Sequence, residues 1–169
     1  GIESTCDETL RRINRGHTFA ETEEAVRRTA ARGIHVGGHV ILGLPGESPE
    51  MMIGQARDVS ALPLTTLKLH QLQLIRGTRM AHEYELCPEG FHLYDVDEYI
   101  DLVIDYVEQL RQNGEFVNLK GLIYFTDGYG EFPAKKPDYD TAFVFVDDEY
   151  NNPDVPTWAI KLVLQKDEI

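Results

Sequence analysis

Gly43-Leu44-Pro45-Gly46-Glu47-Ser48 follows an apolar run, Ile34 to Leu42, and has the makings of a ligand cradle. Its two glycines let backbone approach a ligand closely. Ser48 before Pro49 reads as an N-cap and a first-turn proline, and the amides at such a helix start favour an anion or a polar group. The Gly-Lys-Ser/Thr ending of a phosphate-binding P-loop is absent. The same six residues also suit an ordinary tight turn between strand and helix. Further on, Lys68 and His70 alternate with Leu67 and Leu69, which puts the two basic side chains on one strand face. Inside a parallel barrel such residues belong to a site, because the bore is otherwise apolar; on an open sheet they are simply solvated. His35 and His39 share a face by the same alternation, yet two imidazoles without a third ligand make a poor metal site. Cys6 and Cys87 have neither disulfide nor metal-ligand spacing.

These residues need elements to hold them. Thr5-Cys6-Asp7-Glu8 and Thr18-Phe19-Ala20-Glu21 both have the form of a capping box. The second predicts a helix that stops at Gly33. Ser48-Pro49 predicts another through about Ser60, and Asp95 to Glu98 starts a third that runs to 112, with Tyr99, Val103, Tyr106 and Leu110 as its apolar stripe. Strands are expected at Ile34–Leu42, Leu67–Ile75, Leu119–Thr126, Thr141–Val146 and Trp158–Leu164. Strand, helix and strand in alternation imply βαβ units and parallel sheet, an α/β fold. Gly128 to Tyr139 and Asp147 to Pro156 read as loops. The opening Gly-Ile-Glu-Ser-Thr reads as the end of a strand, so the chain is expected to be a piece of something longer.

The whole sequence has 169 residues, and its formal net charge of −13 disfavours general nucleic-acid binding, which rests on Lys and Arg. Residues 1–32 are locally balanced: six arginines, 11, 12, 15, 27, 28 and 32, face six acidic residues. A solvated helix face explains them better than a phosphate contact. No apolar run approaches the ~20 residues that span a bilayer. Two isolated cysteines suit a reducing, cytoplasmic setting.

Four blocks in order, GIESTCDETLRRINRGH, GIHVGGHVILGLPGES, LKLHQLQLIRGTRMA and DEYIDLVIDYVEQLR, resemble the radical S-adenosylmethionine proteins, closest to a bacterial Elp3-related branch. The likeness covers about residues 1–110. It implies part of a (βα) barrel, a [4Fe–4S] cluster and reductive cleavage of S-adenosylmethionine. It also implies cofactor contacts from Glu3 and Ser4 at the end of the fourth barrel strand, from Gly43, Leu44, Pro45, Gly46 and Glu47 after the fifth, and from His70 among the sixth-strand residues Leu69 to Gln71. Arg15 belongs to one of the blocks, without an assigned role. The family's three closely spaced cluster cysteines do not occur, and three thiolates are needed to leave one iron free for the cofactor. The cluster is therefore not expected on this chain.

From about Tyr106 to the C-terminus the sequence resembles the end of a von Willebrand factor A-like domain attached to predicted bacterial metallopeptidases. That likeness implies a partial doubly wound sheet, with Thr126 and Asp127 contributing to a Mg²⁺-dependent adhesion site and a protein partner as ligand. The remaining oxygens that Mg²⁺ requires cannot be assigned. The reading is of two joined segments, 1–112 and 113–169, or one merged α/β domain of about five parallel strands. A fragment of a radical S-adenosylmethionine enzyme, inactive alone, is the first expectation, and a metal-dependent binding module the alternative.

Overall fold

The computed structural model describes residues 1–114, 121–125, 132, 136, 139–146 and 154–164. The chain divides into two compact units, Gly1–Tyr94 with Asp101–Glu115, and Asp95–Ile100 with Phe116–Ile169.

In the first unit, helix α1 (Asp7–Arg12), helix α2 (Phe19–Ala30), strand β1 (Gly37–Leu42), helix α3 (Pro49–Ser60), strand β2 (Thr66–Gln71) and helix α4 (Arg79–Leu86) follow one another. β1 and β2 pair in parallel from Gly37↔Thr66 to Leu42↔Gln71. A parallel bridge from Glu3 to Val40 adds a third line on the far side of β1, so the first residues do form a strand end. Alternation sends Val40 and Leu42 into the core with Leu44, Met52, Ala56 and Val59, while His39 stays exposed.

α2 begins as its sequence requires. Thr18 and Glu21 form the reciprocal capping box, and Gly33 follows the helix end with φ +73°. α1 does not. Cys6, not Thr5, takes the cap position, with no side-chain cap. Thr5 is drawn to α3 instead: its amide donates to Gln55 Oε1 at 2.9 Å and its hydroxyl to Asp58 Oδ2 at 2.7 Å. Both strands are shorter than the apolar runs suggest. β1 starts at Gly37 because pairing with Thr66 starts there, and β2 ends at Gln71 because its partner turns away at Gly43. α4 has no buried residue, so no apolar stripe announces it; Thr78, which accepts from the Ala81 amide, is its one signal.

Helix α5 (Val96–Gln112) is continuous, as its unbroken stripe predicts. Asp95 and Glu98 cap it reciprocally, through bonds of 2.9 and 3.1 Å. Tyr99, Leu102, Val103, Tyr106, Val107 and Leu110 are buried along one side.

In the second unit, strands β3 (Gly121–Phe125), β4 (Asp140–Val146) and β5 (Ile160–Leu164) form a parallel sheet in the order β3-β4-β5. Phe143 and Phe145 are buried, as core aromatics should be. Trp158 lies in a turn before β5, not in the strand. Two expectations need correction. β3 is not uniformly buried, since Ile123 is 62% exposed; it sits on an edge strand beside the small Ala142, which gives it little cover. Nor do the strands form one five-stranded layer. Among the described residues they make a two-stranded and a three-stranded sheet, each pairing sequence neighbours.

Candidate functional site

The turn after β1 is built on two left-handed glycines, Gly43 at φ +91° and Gly46 at φ +90°. Only a residue without a Cβ takes this conformation cheaply. Close packing adds a second reason. A Cβ on Gly43 would stand 3.3 Å from the Tyr94 ring, and one on Gly46 would stand 3.1 Å from Arg12 Nη1. Leu44 and Pro45 are buried, and Ser48 caps α3 through the Met51 amide. The Gly43 amide donates to Met52 Sδ at 2.9 Å. Arg12 is held over the turn by an ion pair to Glu83 at 2.7 Å and by the Phe91 ring, 5.7 Å from its guanidinium carbon.

Beside the turn lies a buried polar chain. Ser4 Oγ donates to Glu47 Oε1 at 2.5 Å, and Gln55 Nε2 donates to Glu47 Oε2 at 2.9 Å. Ser4 Oγ also accepts from the Cys6 amide, and Gln55 Oε1 accepts from Thr5. All three side chains are at most 9% exposed. Burial of a carboxylate is tolerable only when donors satisfy it in this way. Glu3, next to Ser4, takes the left-handed region at φ +66°, rare for a residue with a Cβ. Arg15 braces this strand end: Nη2 donates to the Gly1 carbonyl at 2.8 Å and lies 3.7 Å from Glu3 Oε1.

On the exposed face of β1 and β2, His39 stands opposite Lys68 in the register. His70, one step further along, brings Nε2 to 3.1 Å from His39 Nδ1, with the rings stacked at 5.0 Å. Burial, then the charges of Lys68 and His39, hold the His70 pKa below the usual histidine value, while Glu3 pulls the other way. His35 is not part of this group. It precedes β1 and contacts Thr65 Oγ1 at 3.3 Å.

The structure thus brings Ser4 and Glu47 into one network with the turn, sets Glu3 beside Arg15, and pairs His70 with His39. Thr126 and Asp127 lie outside the described residues, directly after β3. Sequence reasoning missed Gln55, Met52 and Arg12. Gln55 had left a trace: it occupies a position in the buried stripe Met52, Ala56, Val59 of α3, where a polar residue needs partners.

Residues 1–59 match the Radical SAM superfamily and residues 64–119 the Radical_SAM C-terminal domain. Residues 1–59 and 64–119 thus resemble parts of radical SAM proteins. The chain is 37% identical over 110 residues to the uncharacterized protein MJ0486 of Methanocaldococcus jannaschii, a match covering 65% of this chain and 34% of that protein. It is 29% identical over 114 residues to a tRNA uridine(34) acetyltransferase of Methanocaldococcus infernus, covering 65% and 21%. The solved Elp3 of M. infernus superposes with a TM-score of 0.57 at 24% identity, over 63% of this chain and 25% of that one, which shows a shared fold. The chain spans about a third or less of the length of these relatives.

A radical SAM enzyme implies S-adenosylmethionine and a [4Fe–4S] cluster. The donor set of this segment does not fit the cluster. The sequence holds two cysteines, and among the described residues no group of three or more His, Cys, Asp or Glu is placed to hold a metal. Beside the GLPGES turn, Ser4 and Glu47 already satisfy each other.

Proposed function

We propose that residues 1–112 are the distal part of a radical SAM barrel whose cofactor-facing residues are Glu3, Ser4, Gly43 to Glu47 and His70, and that alone they do not cleave S-adenosylmethionine. The observation that carries this is the parallel order of the Glu3 strand end, β1 and β2, with the GLPGES turn leaving the C-terminal end of β1. Parallel α/β units collect ligands at that end. Titration calorimetry with S-adenosylmethionine tests the proposal. Weak, sub-millimolar binding is expected. No heat at millimolar ligand would leave the turn purely structural, and sub-micromolar binding would show a complete site. Iron and sulfide analysis after anaerobic reconstitution tests the second part, which stoichiometric iron with cluster absorption would defeat.

The tRNA in one relative's name finds little support in this segment. Of the six arginines in residues 1–32, Arg12, Arg15, Arg27 and Arg28 already face Glu83, Glu3, Glu23 and Glu24. A solvated, paired helix surface accounts for them.

A second reading concerns residues 113–169 as a von Willebrand A-like segment, with Thr126 and Asp127 taking Mg²⁺ and a protein ligand. It is favoured by the parallel β3-β4-β5 sheet and by the position of Asp127, two residues beyond the end of β3. Thermal unfolding with and without Mg²⁺ tests it: a rise in midpoint that Asp127→Ala removes supports it, and an unchanged midpoint removes it.

A further inference from the structure

We propose that Lys68, His39 and His70 form a small-oxyanion site, for a carboxylate or a phosphate group, on the open face of β1 and β2. The three side chains come from adjacent parallel strands and converge on one face. Register places Lys68 directly across from His39. The imidazoles are in hydrogen-bond contact at 3.1 Å, so one ring donates and the other accepts, and each ring keeps one further nitrogen for a ligand. Lys68 and His39 are exposed and His70 half-buried, so the face is reachable.

Electrostatics make the arrangement unusual. The chain carries a net charge of −13, and its lysines and arginines have many carboxylates to choose from. Arg12, Arg15, Arg27, Arg28 and Arg111 each face one. Among the described residues, none pairs with Lys68. Among the described residues, the one acidic group that acts on His70 is Glu3, and its carboxylate already faces Arg15. The patch therefore offers a fixed ammonium and one outward imidazole N–H, two when one ring is protonated, to an acceptor that the described residues do not supply. A divalent cation fits poorly, because Lys68 repels it and, among the described residues, no third ligand is at hand.

The inference deepens the radical SAM reading, in which this face turns toward the ligand. Its test leaves S-adenosylmethionine out, so either idea can fail alone. Imidazole proton shifts of the full 169-residue chain are followed by NMR against pH, in inorganic phosphate, in acetate, and in chloride at matched ionic strength. Binding favours the protonated imidazole, so the apparent pKa of His70 should rise saturably by about one unit. His82, 70% exposed on α4, serves as an internal control and should not follow. A rise with phosphate alone, acetate alone or both supports the site and identifies the source of the oxyanion. Lys68→Met, at an exposed position, should weaken the effect at least tenfold. His39→Gln should abolish the response of His70 if it folds, and Lys68→Met keeps the test decisive if it does not. No specific rise with either anion, or an equal rise at His82, overturns the proposal.

Discussion

Ser4 donates its hydroxyl to Glu47 across 43 positions of sequence, tying the end of one strand to the turn that follows the next. Gln55, from the helix the turn leads into, holds the other carboxylate oxygen. Two consecutive βα pieces are thereby fastened to each other. Removing Glu47 should expose how much this fastening contributes. Glu47→Ala deletes two charge-assisted bonds and strands two buried partners, so a loss of about 3 kcal/mol is expected. Glu47→Gln, which keeps one oxygen, should lose less. Urea denaturation followed through the amides of Ile2 to Cys6 reads both, and equal, small losses would show that the network is not holding the turn.

Gly46 offers a second test of the same turn. Its φ of +90° disfavours any side chain, and a Cβ would press on Arg12. The Arg12 guanidinium can yield, so the strain falls mainly on the backbone, at about 1–2 kcal/mol for Gly46→Ala. If Arg12 moves, its ion pair with Glu83 should loosen too, and Glu83→Gln should then add little to the damage. Full additivity of the two substitutions in a denaturation cycle would mean that Arg12 does not touch the turn.

Acid should weaken the first unit through His70. Burial, then Lys68 and His39, lower its folded pKa below that of the unfolded chain. The unfolded state therefore takes up the proton first as pH falls. The resulting contribution is present above about pH 6.5 and is lost as pH falls through the folded value. Denaturation midpoints compared at pH 7.5 and pH 5 should drop for the native chain. His70→Gln should flatten part of that drop, and an identical pH dependence in the variant would remove His70 as its source.

Much of this was legible in the residues. The Thr18 capping box, the Ser48-Pro49 helix start and the stripe of α5 are local signals, and local geometry satisfied them. Thr5 failed as a cap because Gln55 and Asp58, fifty positions away, offered it partners that no local pattern reveals. The histidines failed in the same manner: period-2 alternation paired His35 with His39, but β1 begins only at Gly37, and His39 meets His70 across the ladder. Strand edges depend on the neighbour's length, which is a long-range property. The glycines of GLPGES marked the turn, while Arg12 and Tyr94, which close over it, come from elements distant in sequence.

Tyr106 gives the sharpest prediction. It is fully buried on α5, and among the described residues its hydroxyl has no hydrogen-bond partner. A buried hydroxyl without a partner is a cost, so Tyr106→Phe should be neutral or stabilising, by up to about 1–2 kcal/mol. A loss of that size would instead reveal a bound water or a ligand atom on the hydroxyl. Tyr106→Asp, which buries a charge, should unfold the unit. Alkali supplies an independent check. Burial, then the negative charges of Asp58 and Glu47, push the phenol pKa well above the ordinary tyrosine range. The folded chain therefore keeps a proton that the unfolded chain releases near pH 10. The contribution is fully present below that pH and is lost as pH rises toward the folded value. Stability of the native chain should fall more steeply above pH 10 than that of Tyr106→Phe, read as the difference between their denaturation midpoints. Parallel curves would mean that the phenol is not shielded and that the core around α5 admits water.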